Sequence, residues 1–401
     1  MVVVSGTRVE GPLESFASGF GVELTRAGYT PLSAGKQLGL VAHLSRWLEG
    51  ESLDAAALTP PVVDAFLVAR RACYRSLRSA KALEPLLSYL RRLGVTPAAT
   101  VDSVSTPVDV LVGRFRGYLL DERGLTAAAA RGYVDLIRPF VAGCVQVTGA
   151  DLVALTPGEV TSFMVSESRR LAPKTVQRLA SALRSLLNFW YMDGVLAAQL
   201  AEVVPKAVNR RAALPRALQP AQVRALLASC DLGSRSGRRD FAMLTLLSRM
   251  GLRSGEVAGL RLGDIDWRRG EITVRGKGGR CDQLPLPVDV GESIVDYLQW
   301  GRPATALDRS VFVRVNAPHR GLSSGGVTQA VAAAGCRAGL GTIYAHRLRH
   351  TVATSMLAAG AGLAEIGQVL RHRRPLTTAV YAKVDIAALR TLARPWPAGV
   401  S

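Results

Sequence analysis

The sequence predicts a mainly α-helical, multidomain protein with one small antiparallel β-sheet confined to its last part. Three observations carry this. Apolar residues recur at i, i+3 and i+4 up to Val203, and alternating apolar stretches occur only between Asp264 and Leu286. Two stretches, Gly94–Pro107 (GVTPAATVDSVSTP) and Val203–Pro220 (VVPKAVNRRAALPRALQP), interrupt the helical pattern with proline and small or polar residues. A chain of 401 residues exceeds one ordinary core, so the breaks read as domain limits. They give a helical N-terminal module over 1–100, a second helical domain over 106–202, a linker over 203–218 and a final domain over 219–401.

The first two parts share a weak repeat. Leu58-Thr59-Pro60 leads to Val63 and Phe66, then to Pro85–Leu90 and Gly94-Val95. Leu155-Thr156-Pro157 leads to Val160 and Phe163, then to Ser185–Trp190 and Gly194-Val195. Upstream, Gly28, Leu44 and Trp47 parallel Gly124, Ile137 and Phe140. Both parts read as small helical bundles, the first as a possible duplicate of the second. The first also carries Arg70, Arg71, Arg75, Arg78, Lys81, Arg91 and Arg92 beside a single acid, Glu84. That is a surface for DNA or for another protomer, or the solvated face opposite Leu83, Leu86, Leu87 and Leu90.

The linker holds Lys206, Arg210, Arg211 and Arg216 with no acid, as a segment crossing phosphates would. Beyond it, helices are expected at Ala221–Cys230 and Arg239–Gly251, the second stopped by Gly251. Alternating segments at Asp264–Trp267, Glu271–Arg275 and Gln283–Leu286 surround Gly276-Lys277-Gly278-Gly279 and predict a short antiparallel sheet with a glycine-rich hairpin. Helices return at about Gly291–Trp300, Gly325–Gly335, Ala345–Ala359 and Leu363–Leu370. A tail over 382–401 has an apolar stripe of Ile386, Leu389 and Leu392.

Composition narrows the function. Lys plus Arg total 50 against 31 Asp plus Glu, a net +19, and the expected partner is a polyanion. No apolar run is long enough to cross a membrane, and Glu10 and Glu14 interrupt any signal-like N-terminus, so the expected place is the cytoplasm. Five dispersed cysteines, Cys73, Cys144, Cys230, Cys281 and Cys336, form neither a disulfide framework nor a zinc site and are expected free and mostly buried.

Three motifs carry chemistry. In Gly251-Leu-Arg-Ser-Gly-Glu256, Arg253 offers the side chain best suited to grip two phosphate oxygens, and Glu256 can orient it; a surface ion pair at helical spacing is the alternative. In His346-Arg-Leu-Arg349-His350, the i, i+3, i+4 spacing sets two imidazoles and a guanidinium on one helix face, a poor core and a good anion site. No third ligand accompanies the His pair, and Arg349 would repel a metal. In Leu370-Arg371-His372-Arg373-Arg374-Pro-Leu-Thr-Thr-Ala-Val-Tyr381, a His among three Arg precedes a Tyr whose phenol those cations would make easier to ionise. Lys277, at the hairpin tip, is free to reach such a site, though a tip lysine is ordinarily just solvated.

Taken together, G-L-R-x-x-E, the G-K-G hairpin, H-x-L-R-H, L-x-H and a Tyr nine residues after that His resemble the tyrosine recombinase (phage integrase) family. The catalytic resemblance covers about Ala217–Val384, and Val108–Val195 is similar to that family's core-binding (SAM-like) domain. One departure is Arg371, where the family usually has Gly before the His. The resemblance implies a site-specific recombinase in which Tyr381 is the nucleophile and Arg253, Arg349 and His372 hold the scissile phosphate. It further implies that Lys277 protonates the departing 5′ hydroxyl and that His346 supports acid/base chemistry, with Glu256 and His350 behind them. Phosphoryl transfer needs positioning and charge stabilisation above all, which this residue set supplies.

The linker cations and Arg371, Arg373 and Arg374 are expected on DNA. The expected architecture is a multidomain DNA clamp, and the expected partner is double-stranded DNA bearing specific sites, engaged by a homotetramer on two paired sites or by a mixed assembly with related recombinases. No cofactor, metal or membrane is expected: the sequence has neither a G-x-x-x-x-G-K-[ST] loop nor an acidic cluster for magnesium. Within the family, the long N-terminal addition and the K-V-D…P-W-P tail look more like mobile-element recombinases, acting in integration, excision or transposition, than like the compact Xer proteins. Rival readings are a non-catalytic DNA-binding regulator of the same fold, and a type IB topoisomerase or telomere resolvase.

Overall fold

The computed structural model describes residues 7–96, 106–148, 152, 155–205, 217–276, 280–371 and 378. They are mostly helical, with one three-stranded sheet. They cluster into two compact units, one formed by the chain's first 99 residues together with those from 213 onwards, the other by the residues between.

The first module contains α1 (Glu14–Arg26), α2 (Pro31–Gly50), a short 3₁₀ turn (Ala55–Ala57), α3 (Pro60–Cys73) and α4 (Ala80–Arg92). Phe20, Leu44, Phe66 and Leu87 share its core. The second unit runs α5 (Pro107–Asp121), α6 (Ala127–Thr148), α7 (Pro157–Arg170) and α8 (Pro173–Met192), around Phe115, Ile137, Leu186 and Trp190. Helix entries follow local chemistry: proline occupies the first position of α2, α3, α5, α7 and α8, where its missing N–H costs nothing. At α7 the Thr156 amide donates to Glu159 Oε2 at 2.8 Å and the Glu159 amide donates to Thr156 Oγ1 at 3.3 Å, a reciprocal cap.

In the last part, α9 (Pro220–Ala228) precedes α10 (Arg235–Met250). The latter starts before the Arg239 suggested by periodicity because Ser234 accepts the Gly237 amide at 3.0 Å and caps it. Met243, Leu244, Leu246 and Leu247 are all buried, so α10 is sheathed on several sides. Then come α11 (Ser254–Ala258) and the antiparallel sheet β1 (Ile265–Asp266), β2 (Glu271–Arg275) and β3 (Cys281–Pro285). Ile272 pairs with Leu284 and Val274 with Asp282; Ile272 and Val274 face the core while Arg275 faces out. The Gly276 amide donates to the Arg280 carbonyl at 2.7 Å and closes the hairpin.

Among the described residues there follow α12 (Val288–Asp296), a π-helical turn (Tyr297–Gly301), α13 (Ser324–Arg337), α14 (Ala345–Ala358) and α15 (Leu363–Val369). Ala353 of α14 packs with Ile366 and Leu370 in a small separate cluster. That cluster sets the turn after α15 against the end of α10. The expectation of mostly buried cysteines fails: Cys144 and Cys230 are buried, whereas Cys73, Cys281 and Cys336 are exposed.

Candidate active site

Helix α10 ends at Gly251, whose φ of +59° is left-handed. A Cβ there would lie 2.7 Å from Leu370 Cδ2, so conformation and space both demand glycine. The chain then turns to place Arg253 at the start of α11. The Arg253 amide donates to Glu256 Oε2 at 2.8 Å and its Nη1 to Glu256 Oε1 at 2.6 Å. One carboxylate thus fixes both the backbone and the guanidinium of the same residue. Glu256 is buried, and burial alone would raise its pKa. The Arg253 amide, the Arg371 guanidinium and the Arg253 guanidinium outweigh that and hold the carboxyl below its usual range.

Helix α14 supplies the second motif. Arg349 is 1% exposed. Its Nη1 donates to the Gly251 carbonyl at 2.7 Å and its Nη2 to the Leu370 carbonyl. Arg253 Nη2 donates to the next carbonyl, that of Arg371, at 3.4 Å. Both guanidinium groups therefore seat on the two residues directly before His372. The imidazoles of His346 and His350 lie one turn apart, ring centroids 4.3 Å and nearly perpendicular. Burial, then the Arg349 and Arg253 cations, lower the His346 pKa. Burial, then His346 and Arg349, push His350 down to about 4. Both rings are neutral at pH 7, and a neutral imidazole can accept a proton.

Arg371 corrects an expectation. Set among the DNA-contacting cations by sequence, it points inward with its side chain 6% exposed, donating from Nη2 to Glu256 Oε2 at 2.7 Å. Its Nε lies 3.8 Å from Asp282 Oδ2 on β3. Its φ is +54°. A non-glycine residue in that region costs about 1–2 kcal/mol. The left-handed turn accounts for glycine being usual before the His in the family resembled. The roles of Asp282 and Arg371 as partners were missed by sequence reasoning; the alternation of β3, which pairs Asp282 with the inward Val274, was the available signal.

Thus Arg253, Glu256, His346, Arg349, His350 and Arg371 come together. Lys277, His372, Arg373, Arg374 and Tyr381, and the linker cations Lys206, Arg210, Arg211 and Arg216, lie outside the described residues. Among the described residues, no group of three or more His, Cys, Asp or Glu could hold a metal, and no helix is long and apolar enough to cross a membrane.

The phage integrase family model matches residues 216–387. A Sinorhizobium fredii protein described as "Putative integrase/recombinase y4rA" is 37% identical over 97% of this chain and 95% of its own length. The tyrosine recombinase XerC of a Mycobacterium species is 30% identical over 71% of this chain and 97% of its own. Two solved structures share the fold. XerH recombinase bound to a palindromic difH substrate, in a post-cleavage complex, aligns with a TM-score of 0.57 and 17% identity over 73% of this chain and 97% of that one. A lambda integrase dimer bound to a core site aligns with a TM-score of 0.53 and 16% identity over 72% and 96%.

Proposed function

Because the chain belongs to the phage integrase family and is a tyrosine-type site-specific recombinase, we propose that it cuts and rejoins DNA through a 3′-phosphotyrosine intermediate formed on Tyr381. The Tyr381 oxygen attacks the scissile phosphorus and the bond to the 5′ oxygen breaks. Lys277 delivers a proton to that oxygen, which leaves as a 5′ hydroxyl. Arg253, Arg349 and His372 hold the non-bridging oxygens, and the neutral His346 imidazole accepts the phenolic proton that Tyr381 gives up. Attack of a 5′ hydroxyl on the phosphotyrosine reverses the bond changes, so rejoining conserves the ester and consumes no nucleotide.

The observation that carries this reading is the convergence of Arg253 and Arg349 on the carbonyls of Leu370 and Arg371, beside neutral imidazoles and immediately before His372. Two guanidiniums fixed by backbone carbonyls and a buried carboxylate form a preorganised cationic seat, the feature from which phosphoryl transfer gains most.

The partner in this reading is double-stranded DNA carrying specific sites. The helices of 106–202 and the final domain over 219–401 each bind the duplex, and the basic linker over 203–218 contacts its phosphates. The module over 1–100 contacts DNA outside the central site, and four copies assemble on two paired sites, the tail over 382–401 contributing to that assembly. The biological outcome is integration or excision of a mobile element. The similarity to an integrase/recombinase along nearly the whole chain supports that assignment.

Tyr381→Phe removes one oxygen and leaves the cationic seat intact. It is expected to bind DNA yet form no covalent adduct with nicked-site DNA on a denaturing gel. A persistent protein–DNA band would overturn the assignment.

A further inference from the structure

Resting on the reading of Lys277 as the general acid, we propose that Arg371 is a positioning residue that ties the Lys277 hairpin to the phosphate-binding arginines. Three elements meet at this one side chain. Its Nη2 bonds the same Glu256 oxygen that receives the Arg253 amide. Its backbone carbonyl accepts Arg253 Nη2. Its Nε reaches toward Asp282 of β3, five residues beyond Lys277, across a hairpin closed by the Gly276–Arg280 hydrogen bond.

The contact with Asp282 differs from the contact with Glu256. At 3.8 Å it is an ion pair longer than a hydrogen bond, and among the described residues Nε makes no hydrogen bond of its own. Arg371 is thus rigidly held on the Glu256 side and loosely held on the hairpin side. A tether of this form links β3, the strand that leaves the hairpin, to the arginine pair. The left-handed backbone at Arg371 is strained for a side chain and free for glycine. Glycine would serve the turn without strain; here the Arg371 guanidinium instead faces two carboxylates, Glu256 at 2.7 Å and Asp282 at 3.8 Å.

The test uses full-length protein and compares Arg371→Gly and Asp282→Asn on two cleavage substrates. One is ordinary DNA; the other carries a 5′-bridging phosphorothiolate, whose sulfur leaves without needing a proton. Glycine adopts the required backbone, so Arg371→Gly keeps the turn. The expected result is cleavage of ordinary DNA slowed by about ten- to a hundredfold, since misplacing a reacting group by about 1 Å costs on that order, while the phosphorothiolate substrate is slowed several-fold less. Asp282→Asn is expected to shift the ratio in the same direction. Because the contact it removes is already gone, it adds nothing in the Arg371→Gly background.

Lys277→Ala serves as the reference. If Lys277→Ala discriminates between the substrates and neither Arg371→Gly nor Asp282→Asn does, the tether is refuted and Arg371 is merely structural. If Lys277→Ala itself fails to discriminate, the general-acid assignment is wrong and this inference falls with it. Additive ratios in the double variant would show that Asp282 acts through Arg280, 2.9 Å from its other oxygen, and would overturn the proposed link.

Discussion

The two sides of the candidate site hold positive charge in opposite ways. On the α11 side, Arg253 and Arg371 share the buried carboxylate of Glu256, with Asp282 close by. On the α14 side, Arg349 is buried, its partners include the carbonyls of Gly251 and Leu370, and its neighbours are two imidazoles whose protonation it resists. A carboxylate neutralises a guanidinium; a carbonyl only orients it. The first side is therefore set by a buried carboxylate and the second by backbone carbonyls, and in the proposed reaction each presents a guanidinium to the phosphate.

The largest expected effect comes from destroying the balanced side. Glu256→Ala leaves Arg371 buried without its close partner, and breaking a buried pair by removing one member costs about 3–5 kcal/mol. Urea unfolding should show a loss of that size, with Glu256→Gln losing less because its amide oxygen still accepts one bond. A loss below about 1 kcal/mol, the value of an exposed surface pair, would mean that the two sides do not differ as described.

A smaller effect should follow at the joint between the sides. Gly251 carries the carbonyl that seats Arg349, and a Cβ on it would press on Leu370, whose carbonyl seats the other nitrogen. Gly251→Ala should destabilise by about 1–3 kcal/mol through its left-handed backbone. Cleavage should fall further than stability predicts, because both anchors of Arg349 shift together. If cleavage on suicide DNA at a temperature where the variant is folded matches wild type, the carbonyls do not position Arg349.

How far this site was legible in sequence depended on whether a partner lay near in the chain. The sheet and the Gly251 stop are local chemistry: the alternation of Glu271–Arg275 around a glycine-rich turn placed the first, and a glycine after a helical run placed the second. The grouping of Arg253 with Glu256 followed from three-residue spacing. The inward turn of Arg371 did not, because its partners lie 115 residues away at Glu256 and on a strand whose start was expected at Gln283. In a run of basic residues, nothing local distinguishes the arginine that faces a buried carboxylate from those that face solvent.

The gentlest test concerns protons. His350 titrates at about 4 in the folded protein against an ordinary value of 6.5, and His346 is also lowered. Between those values the unfolded chain binds a proton that the folded chain refuses, so stability is complete above about pH 6.5 and is lost as pH falls toward 4. One such group gives a slope of at most about 1.4 kcal/mol per pH unit, and less here because the ring is only half-buried. His43 of the first module is lowered too, by burial, then by Arg70 and Arg46, so the whole-protein curve mixes regions. Comparing wild type with His350→Gln isolates the α14 side: the difference in unfolding free energy should shrink steadily from pH 7 to pH 4.5. A difference that does not change with pH would show that His350 is not held neutral by burial and its cationic neighbours.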